Sequence, residues 1–399
     1  VEISGLHRGD PHGLAMFLVL TGFGIKAGAL SLHFWLPLAH PAAPIPASAV
    51  LSGSMIKAGL LGWIRFLPLG EAAVPVVGFV FINAGLAADL LGAMAGVVQS
   101  NPKTVLAYSS ICQMGILMTG LGIGAIEPRA WPGILAAVLI YTAHHALAKG
   151  ALFLGIGPSM AAKRRWEVLI ARIGMLSPAL ALAGAPLTSG ALAKVALKSN
   201  LVFLPDGWAR ALGIVLPLAA VGTSAMMIRL LWLLWRPATE QPEHSADGVW
   251  APWLSLVGAV VAAAWILPGA FGWLGVTLTP GKLWLATWPL FAGGLLSALA
   301  ARFRRRLSID PSAWVPPGDV GVILDRFFAR LLAGARLPQS SDQGHEYCDD
   351  RSETGSRAAP GLQWIGRMLA RGEETLASWP IAGATLLMVG ASLLALVIG

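Results

Sequence analysis

Several apolar stretches of the sequence are interrupted by groups that carry a proton. Lys26 lies in GFGIKAGALSLHFWLP, Lys57 in SGSMIKAGLLGW, and Lys194 closes GAPLTSGALAK. His144, His145 and Lys149 share YTAHHALAKGALFLGIG, and Asp89 interrupts another apolar run. A charged group inside such a run costs about 2.5–3.5 kcal/mol on insertion scales, so by default it marks a pathway. His145 and Lys149 are four apart and share a helix face. Burial disfavours a charged lysine, and a nearby carboxylate favours it. A buried lysine whose carboxylate partner moves is therefore a proton-loading switch, and a histidine, titrating near neutrality, relays. Proton movement is the chemistry these residue types support.

Each group also has a plainer reading. A lysine near a helix end snorkels to the interface; Lys57 and Lys149 lie mid-run, and Lys26 and Lys194 follow helix breaks, which counts against it. His144 reads first as a packing residue and second as a relay. Asp89 is read equally as structural or functional. Arg229 reads as a snorkelling anchor, and His33 and His40, flanking a proline-containing turn, are weak candidates.

The elements that must position these groups span a membrane. Of 399 residues 56% are hydrophobic and only 12% charged, with a mean hydropathy of +0.70. Soluble domains carry about 25% charge, so an ordinary soluble enzyme is excluded, as are disorder and nucleic-acid binding. Ten stretches are long and apolar enough to cross a bilayer: 12–36, 43–67, 74–99, 104–126, 131–157, 173–198, 208–235, 250–272, 283–301 and 378–398. Trp131, Trp208, Trp250, Trp253, Trp284 and Trp379 stand at run ends, as an interfacial belt requires. The predicted fold class is an all-α polytopic membrane protein. Pro41, Pro44 and Pro46 enter the second stretch, and Gly184, Pro186 and Gly190 lie inside the sixth. Such breaks survive in lipid only where protein or water satisfies the freed backbone, and transporters place them at transport sites.

Orientation follows from the loop cations. Odd loops hold Lys103, the Lys163-Arg164-Arg165 cluster with Arg172, Arg236, and Arg302 with Arg304-Arg305-Arg306. Even loops hold only Arg65, Arg129, Arg210 and Lys282. Odd loops should face the cytoplasm, so the formal charge of +8 is a topology signal. Residues 302–377 hold 21 of the 48 charged residues. They form a cytoplasmic hydrophilic segment with an amphipathic helix built on Val320, Ile323, Leu324, Phe327, Phe328, Leu331 and Leu332. Cys112 and Cys348 give no disulfide framework and no metal-ligand spacing. The sequence begins at Val1 with no signal peptide before the first apolar stretch, and reads as a fragment.

HFWLPLAHPAAPIPASAVLSGSMIKAGL (33–60), KTVLAYSSICQMG (103–115) and HHALAKGALFLGIG (144–157) resemble the proton-translocating antiporter-like membrane subunits. These occur in respiratory complex I, in membrane-bound hydrogenases (hydrogenase-4 and formate hydrogenlyase) and in multisubunit Na+/H+ antiporters. The resemblance covers about residues 12–236 and implies the C-terminal part of a fold of two inverted five-helix repeats, each with a broken helix. By that resemblance Lys26 is the lysine of the first broken helix, Lys194 that of the second, and His145 with Lys149 the relay between them. Lys57 corresponds to a lysine found in some members. The implied organisation is an antiporter-like core over 1–236 with an incomplete first half-repeat, further transmembrane helices over 237–301, the hydrophilic segment 302–377, and a last transmembrane helix over 378–399.

The pattern departs from the family in three places. Leu38 stands where a carboxylate usually follows WLP. The triplet Asn101-Pro102-Lys103 replaces a common aspartate before the lysine. The glutamate that pairs with the first broken-helix lysine would lie upstream of Val1, so the partner of Lys26 is not named. Asp89 has no family role. The implied function is proton translocation as a non-redox subunit of a complex I-like NADH:quinone oxidoreductase or membrane-bound hydrogenase, multi-pass in a bacterial or archaeal inner membrane. Other membrane subunits, a hydrophilic redox arm and the bilayer are the implied partners, with no cofactor in this chain. The alternative is a subunit of a cation/proton antiporter without redox chemistry. A haem-bearing cytochrome is disfavoured: adjacent His144 and His145 point about 100° apart, and axial ligation needs mid-membrane histidines on facing helices.

Overall fold

The computed structural model describes residues 13–236, 248–270, 279–307 and Val315. All regular structure among them is helical. The helices are α1 (Gly13–Ala27), α2 (Trp35–Ala42), α3 (Ile45–Val50), α4 (Lys57–Phe66), α5 (Pro75–Val98), α6 (Pro102–Ile126) and α7 (Trp131–Leu154). Then follow α8 (Ile156–Ala161), α9 (Arg165–Ala183), α10 (Ser189–Lys198), α11 (Asp206–Leu234), α12 (Trp250–Ala270) and α13 (Pro280–Leu307). Seven spans among the described residues are long and apolar enough to cross a membrane, and two shorter apolar helices cover Leu14–Ala27 and Trp250–Ile266. The amphipathic helix expected near 320–332 and the span expected at 378–398 lie outside the described residues.

Lipid offers helices no hydrophobic drive to associate, so close packing of small residues must hold them together. The α5–α6 hairpin shows how. Gly78, Gly85 and Gly92 recur every seven residues on α5, and Gly115 and Gly122 do so on α6. A methyl group at Gly85 would strike the Gly115 carbonyl, and one at Gly122 would approach the Gly78 carbonyl at 2.7 Å. The two backbones are therefore in contact along several turns. Asn101 caps α6, its side chain accepting from the Lys103 amide at 2.8 Å, with Pro102 at the first helical position, where no amide is needed.

Helices α6 and α7 are the centre. The spans that contain them are 94% buried, against 11% for the span of α13. Hence the ionisable groups of α7 are surrounded by protein, and α13 is a peripheral element.

Two helices are broken, the sixth stretch where the sequence indicates and the first at residues 28–34, so that Lys26 precedes its break where it was expected to follow one. The first apolar stretch stops at Ala27 and resumes at Trp35, with Gly28 and Ser31 at positive φ of 68° and 71°. The sixth stops at Ala183 and resumes at Ser189, with Gly184 and Leu187 at φ of 84° and 62°. Gly184 donates its amide to Leu180 and Ala181 carbonyls, the left-handed cap that glycine allows. Thr188 accepts from the Ala191 amide at 3.4 Å and starts α10. A third irregularity is a π-helical turn, Leu51–Met55, immediately before Lys57. Such turns are frequent at functional sites.

Two sequence expectations need correction. The basic cluster at 163–172 was expected to be a loop, yet α9 begins at Arg165. Glu167 accepts from the Lys163 and Arg164 amides at 2.9 and 3.0 Å, a carboxylate at a helix N-terminus. Arg172 is thus helical and lies over the Trp235 ring at 5.9 Å. Trp253 was expected in the interfacial belt, yet it is fully buried and donates its indole N–H to the Ala151 carbonyl at 3.0 Å. Gly155 and Gly174 leave room for its ring. Trp284, 63% exposed, fits the belt.

Candidate functional site

The site is built on α7. Its middle carries His144, His145 and Lys149, all at most 2% exposed. Lys149 reaches α6 and donates to the Leu106 carbonyl at 2.6 Å and the Ser109 hydroxyl at 2.7 Å. The neighbouring Ser110 hydroxyl bonds Ser52 in the π-helical turn at 2.7 Å. Lys57, two residues past that turn, donates to the Ser52 carbonyl. The two lysines are therefore linked through α6 and the π turn. The ammonium thus bonds to backbone within the irregular turn.

His145 lies between these lysines electrostatically, close enough to interact with Lys57, Lys149 and His144. Neither of its ring nitrogens has a hydrogen-bond partner. Buried polar atoms almost always have one, so this imidazole is a marked exception. His40 of α2 joins the same group, interacting with Lys149, Lys103 and Lys57. It stacks on Phe153 with ring centroids 4.5 Å apart, and both its nitrogens are likewise without a partner. Lys103 spans the α2–α6 gap and donates to the Ala43 carbonyl at 2.6 Å. Sequence reasoning ranked His40 low. Its proline-rich context was visible in the sequence; its insertion beside Phe153 was not.

His144 turns the other way along α7. Its Nδ1 and the Ser189 hydroxyl are 2.8 Å apart, and either can donate. Ser189 is the first residue of α10, just past the second break. His144 also interacts with both Lys57 and Lys194. It therefore bonds to the broken helix and stands midway between the lysine cluster and Lys194.

Lys194 is partly buried and donates to the Ala183 carbonyl at 2.8 Å. That carbonyl ends α9, so the ammonium satisfies backbone that the break frees. Gly184 permits this: a methyl group there would lie 2.8 Å from the Lys194 Nζ. Beyond Lys194 a cavity of about 210 Å³ is lined by Gly184, Lys198, Pro217, Lys282 and Pro289 among others. Sequence reasoning missed Lys198, although its spacing of four from Lys194 on α10 was legible, and missed Lys282 because α13 comes beside α10 only in the folded chain.

Lys26 is not brought into this group. It sits in the last turn of α1 with its side chain exposed. Helix α1 packs on α4 through Phe23 and Ala27 against Gly59 and Gly62, and Lys26 lies beside that contact. Arg229 donates to the Gln99 carbonyl at 3.0 Å and lies over the Trp232 ring at 4.6 Å. A polar thread not foreseen from the sequence ties α6, α7 and α11 together. The Tyr141 hydroxyl donates to Gln113 Oε1 at 2.6 Å, and Gln113 Nε2 donates to Thr223 at 3.3 Å.

Ionisable groups thus run from His40 through Lys57, His145 and Lys149 to His144 and Lys194, ending at a cavity. Such a series can hold and pass protons across the low-dielectric layer. Among the described residues no group of three or more His, Cys, Asp or Glu side chains is placed to hold a metal.

The chain is similar to known proteins in sequence and in fold. The family model described as NADH:quinone oxidoreductase/Mrp antiporter, TM, matches residues 11–217. Formate hydrogenlyase subunit 3 of Escherichia coli (strain K12) is 30% identical over 293 residues, 65% of this chain and 48% of that protein. A putative antiporter subunit mnhA2 of Staphylococcus saprophyticus is 33% identical over 205 residues, 47% and 26% of the two chains. NADH-quinone oxidoreductase subunit N of Hirschia baltica is 27% identical over 281 residues, 65% and 55%. The chain thus spans between 26% and 55% of these relatives. A chain of the Mrp complex from Dietzia sp. DQ12-45-1b superposes with a TM-score of 0.51 at 22% identity, over 74% of this chain and 62% of that one. That likeness shows the fold.

Proposed function

We propose, for a chain that belongs to the NADH:quinone oxidoreductase/Mrp antiporter transmembrane family, that it carries protons across the membrane along Lys57, Lys149, His145, His144 and Lys194. The observation that carries this reading is the run of ionisable groups centred on α7, one of the two most buried spans described, and ending at a cavity. Lys57 and Lys149 are bonded to the same two-helix junction, so a proton on one is felt by the other through charge repulsion. His145, free of fixed partners, exchanges protons with either lysine by way of water. His144 passes the proton to the second break, where Lys194 delivers it to the cavity. Lys26 is proposed as the switch of the first half-repeat, outside this series.

In this reading the chain moves protons and holds no cofactor. Electrons belong to its partners. We favour a place in a complex I-like or hydrogenase complex with a hydrophilic redox arm, in the inner membrane of a bacterium or archaeon. The second reading is a cation/proton antiporter subunit without redox chemistry, and the likeness to mnhA2 supports it.

Both readings share one test. In inverted vesicles carrying the full-length subunit in its complex, Lys149→Ala and Lys194→Ala should each lower proton pumping by about tenfold or more, the scale of a lost proton-transfer group. Assembly should be intact. Mass spectrometry of the native complex separates the readings: iron–sulfur, nickel–iron or NADH-binding subunits support the redox pump, and membrane subunits alone support the antiporter.

A further inference from the structure

Asp89 belongs to none of the steps above. It lies mid-way along α5 and is 1% exposed, and neither carboxylate oxygen has a hydrogen-bond partner. An uncompensated carboxylate in such a place costs several kcal/mol, so its persistence calls for a counter-charge. Its position on α5 says where to look. One turn before it, Gly85 seats on Gly115 and Thr119 of α6; one turn after it, Ala93 meets Gly222 of α11. Beside it, the Cys112 thiol donates to the Asp89 backbone carbonyl at 3.2 Å. Asp89 therefore faces inward, on the side where Gln113 and Thr223 join α6 to α11.

Three ionisable groups on the helices around it are close enough to interact with its charge: the Cys112 thiol of α6, the Tyr141 phenol of α7 and Lys194 of α10. Of these only Lys194 is a cation. Lys194 has a second side, the cavity, where Lys198 and Lys282 are neighbours and no carboxylate lines the wall. It thus stands between one buried negative group and two further ammonium groups.

We infer that Asp89 is the buried counter-charge of Lys194, a positioning residue that keeps its proton on the inner side until release toward the cavity. The electrostatics are asymmetric. Attraction to Asp89 favours the ammonium form at the protein core, and repulsion by Lys198 disfavours it at the cavity. A small displacement of Lys194 between these surroundings changes whether it holds a proton. The close packing at Gly85 and Gly222 holds the α5 backbone on either side of Asp89, so the lysine, on the short helix after the break, is inferred to be the partner that moves.

The inference rests on the transport reading only for its consequence; the pairing itself is measured separately. In the full-length subunit within its complex, infrared difference spectra over a pH titration should show a carboxyl band that is absent in Asp89→Asn. Its midpoint should be displaced in Lys194→Gln. Should Asp89→Asn fail to assemble, Asp89→Glu identifies the band by altering it. In vesicles, Asp89→Asn should lose pumping, Asp89→Glu should recover part of it, and Asp89→Asn combined with Lys194→Gln should be no worse than Lys194→Gln alone. A midpoint unmoved by Lys194→Gln overturns the pairing, as do losses in the double variant that multiply. A displaced midpoint with normal pumping in Lys194→Gln supports the pairing and contradicts the transport reading.

Discussion

Lys149 is held by two acceptors of different kinds, a backbone carbonyl and the Ser109 hydroxyl. The carbonyl cannot be mutated away, but the hydroxyl can. A hydrogen bond to a charged group contributes about 1.5–3 kcal/mol. Ser109→Ala should therefore loosen the ammonium and lower pumping several-fold less than Lys149→Ala, with assembly unchanged; pumping rates in matched vesicles test it. At this scale the sequence was informative where chemistry is local. The spacing of His145 and Lys149 placed both on one face, and costly charges in apolar runs marked Lys57, His144 and Lys194. It was uninformative where a partner comes from another helix. Nothing near His40 announces Phe153, and nothing near Asp89 announces Lys194. Trp253 misled because the belt argument uses only position at a run end, and a tryptophan at that position also packs into the core when glycines such as Gly155 and Gly174 face it.

The elements are positioned by glycine in two ways. In the α5–α6 hairpin glycine permits contact. Gly85→Val would force a side chain into the Gly115 carbonyl, and overpacking of this kind costs about 1–3 kcal/mol. The detergent-solubilised subunit should lose thermal stability accordingly, while Gly258→Ala, which has open space around it, should be neutral. At the second break glycine permits conformation. Gly184→Ala places a side chain at φ 84° and against Lys194. The left-handed conformation alone costs about 1–2 kcal/mol, and the displaced Lys194 should weaken pumping beyond what that loss explains; a melting curve and a pumping assay on one preparation separate the two. The second break was legible from GAPLTSG, because a glycine and a proline both stop a helix. The first was less so. Its prolines belong to the later turns, and the positive φ at Ser31 has no signal in the residue type. The start of α9 was missed because a run of Lys and Arg reads as a loop, whereas Glu167 makes it a cap.

Across the whole molecule, charge and burial divide the labour. Lys103 bridges α2 and α6 through the Ala43 carbonyl, and Lys282 lies beside the cavity. His144, His145 and Lys149 lie on α7, in one of the two described spans with the greatest burial. Helix α12 is tied to this core through Trp253, so Trp253→Ala should cost about 3–5 kcal/mol and release α12 from α7, read as faster proteolysis of the following segment. Composition made the polytopic architecture legible at this scale. The side-to-side placement of helices was not, because every helix is apolar all round and periodicity points nowhere.

The central claim is that protons cross through the α7 groups to Lys194. The most direct measurement is proton pumping by inverted vesicles in which Lys149 and Lys194 are both replaced by alanine in the assembled, full-length subunit. Loss of pumping with the complex intact is the predicted result. Pumping at the rate of the unaltered complex would contradict the account.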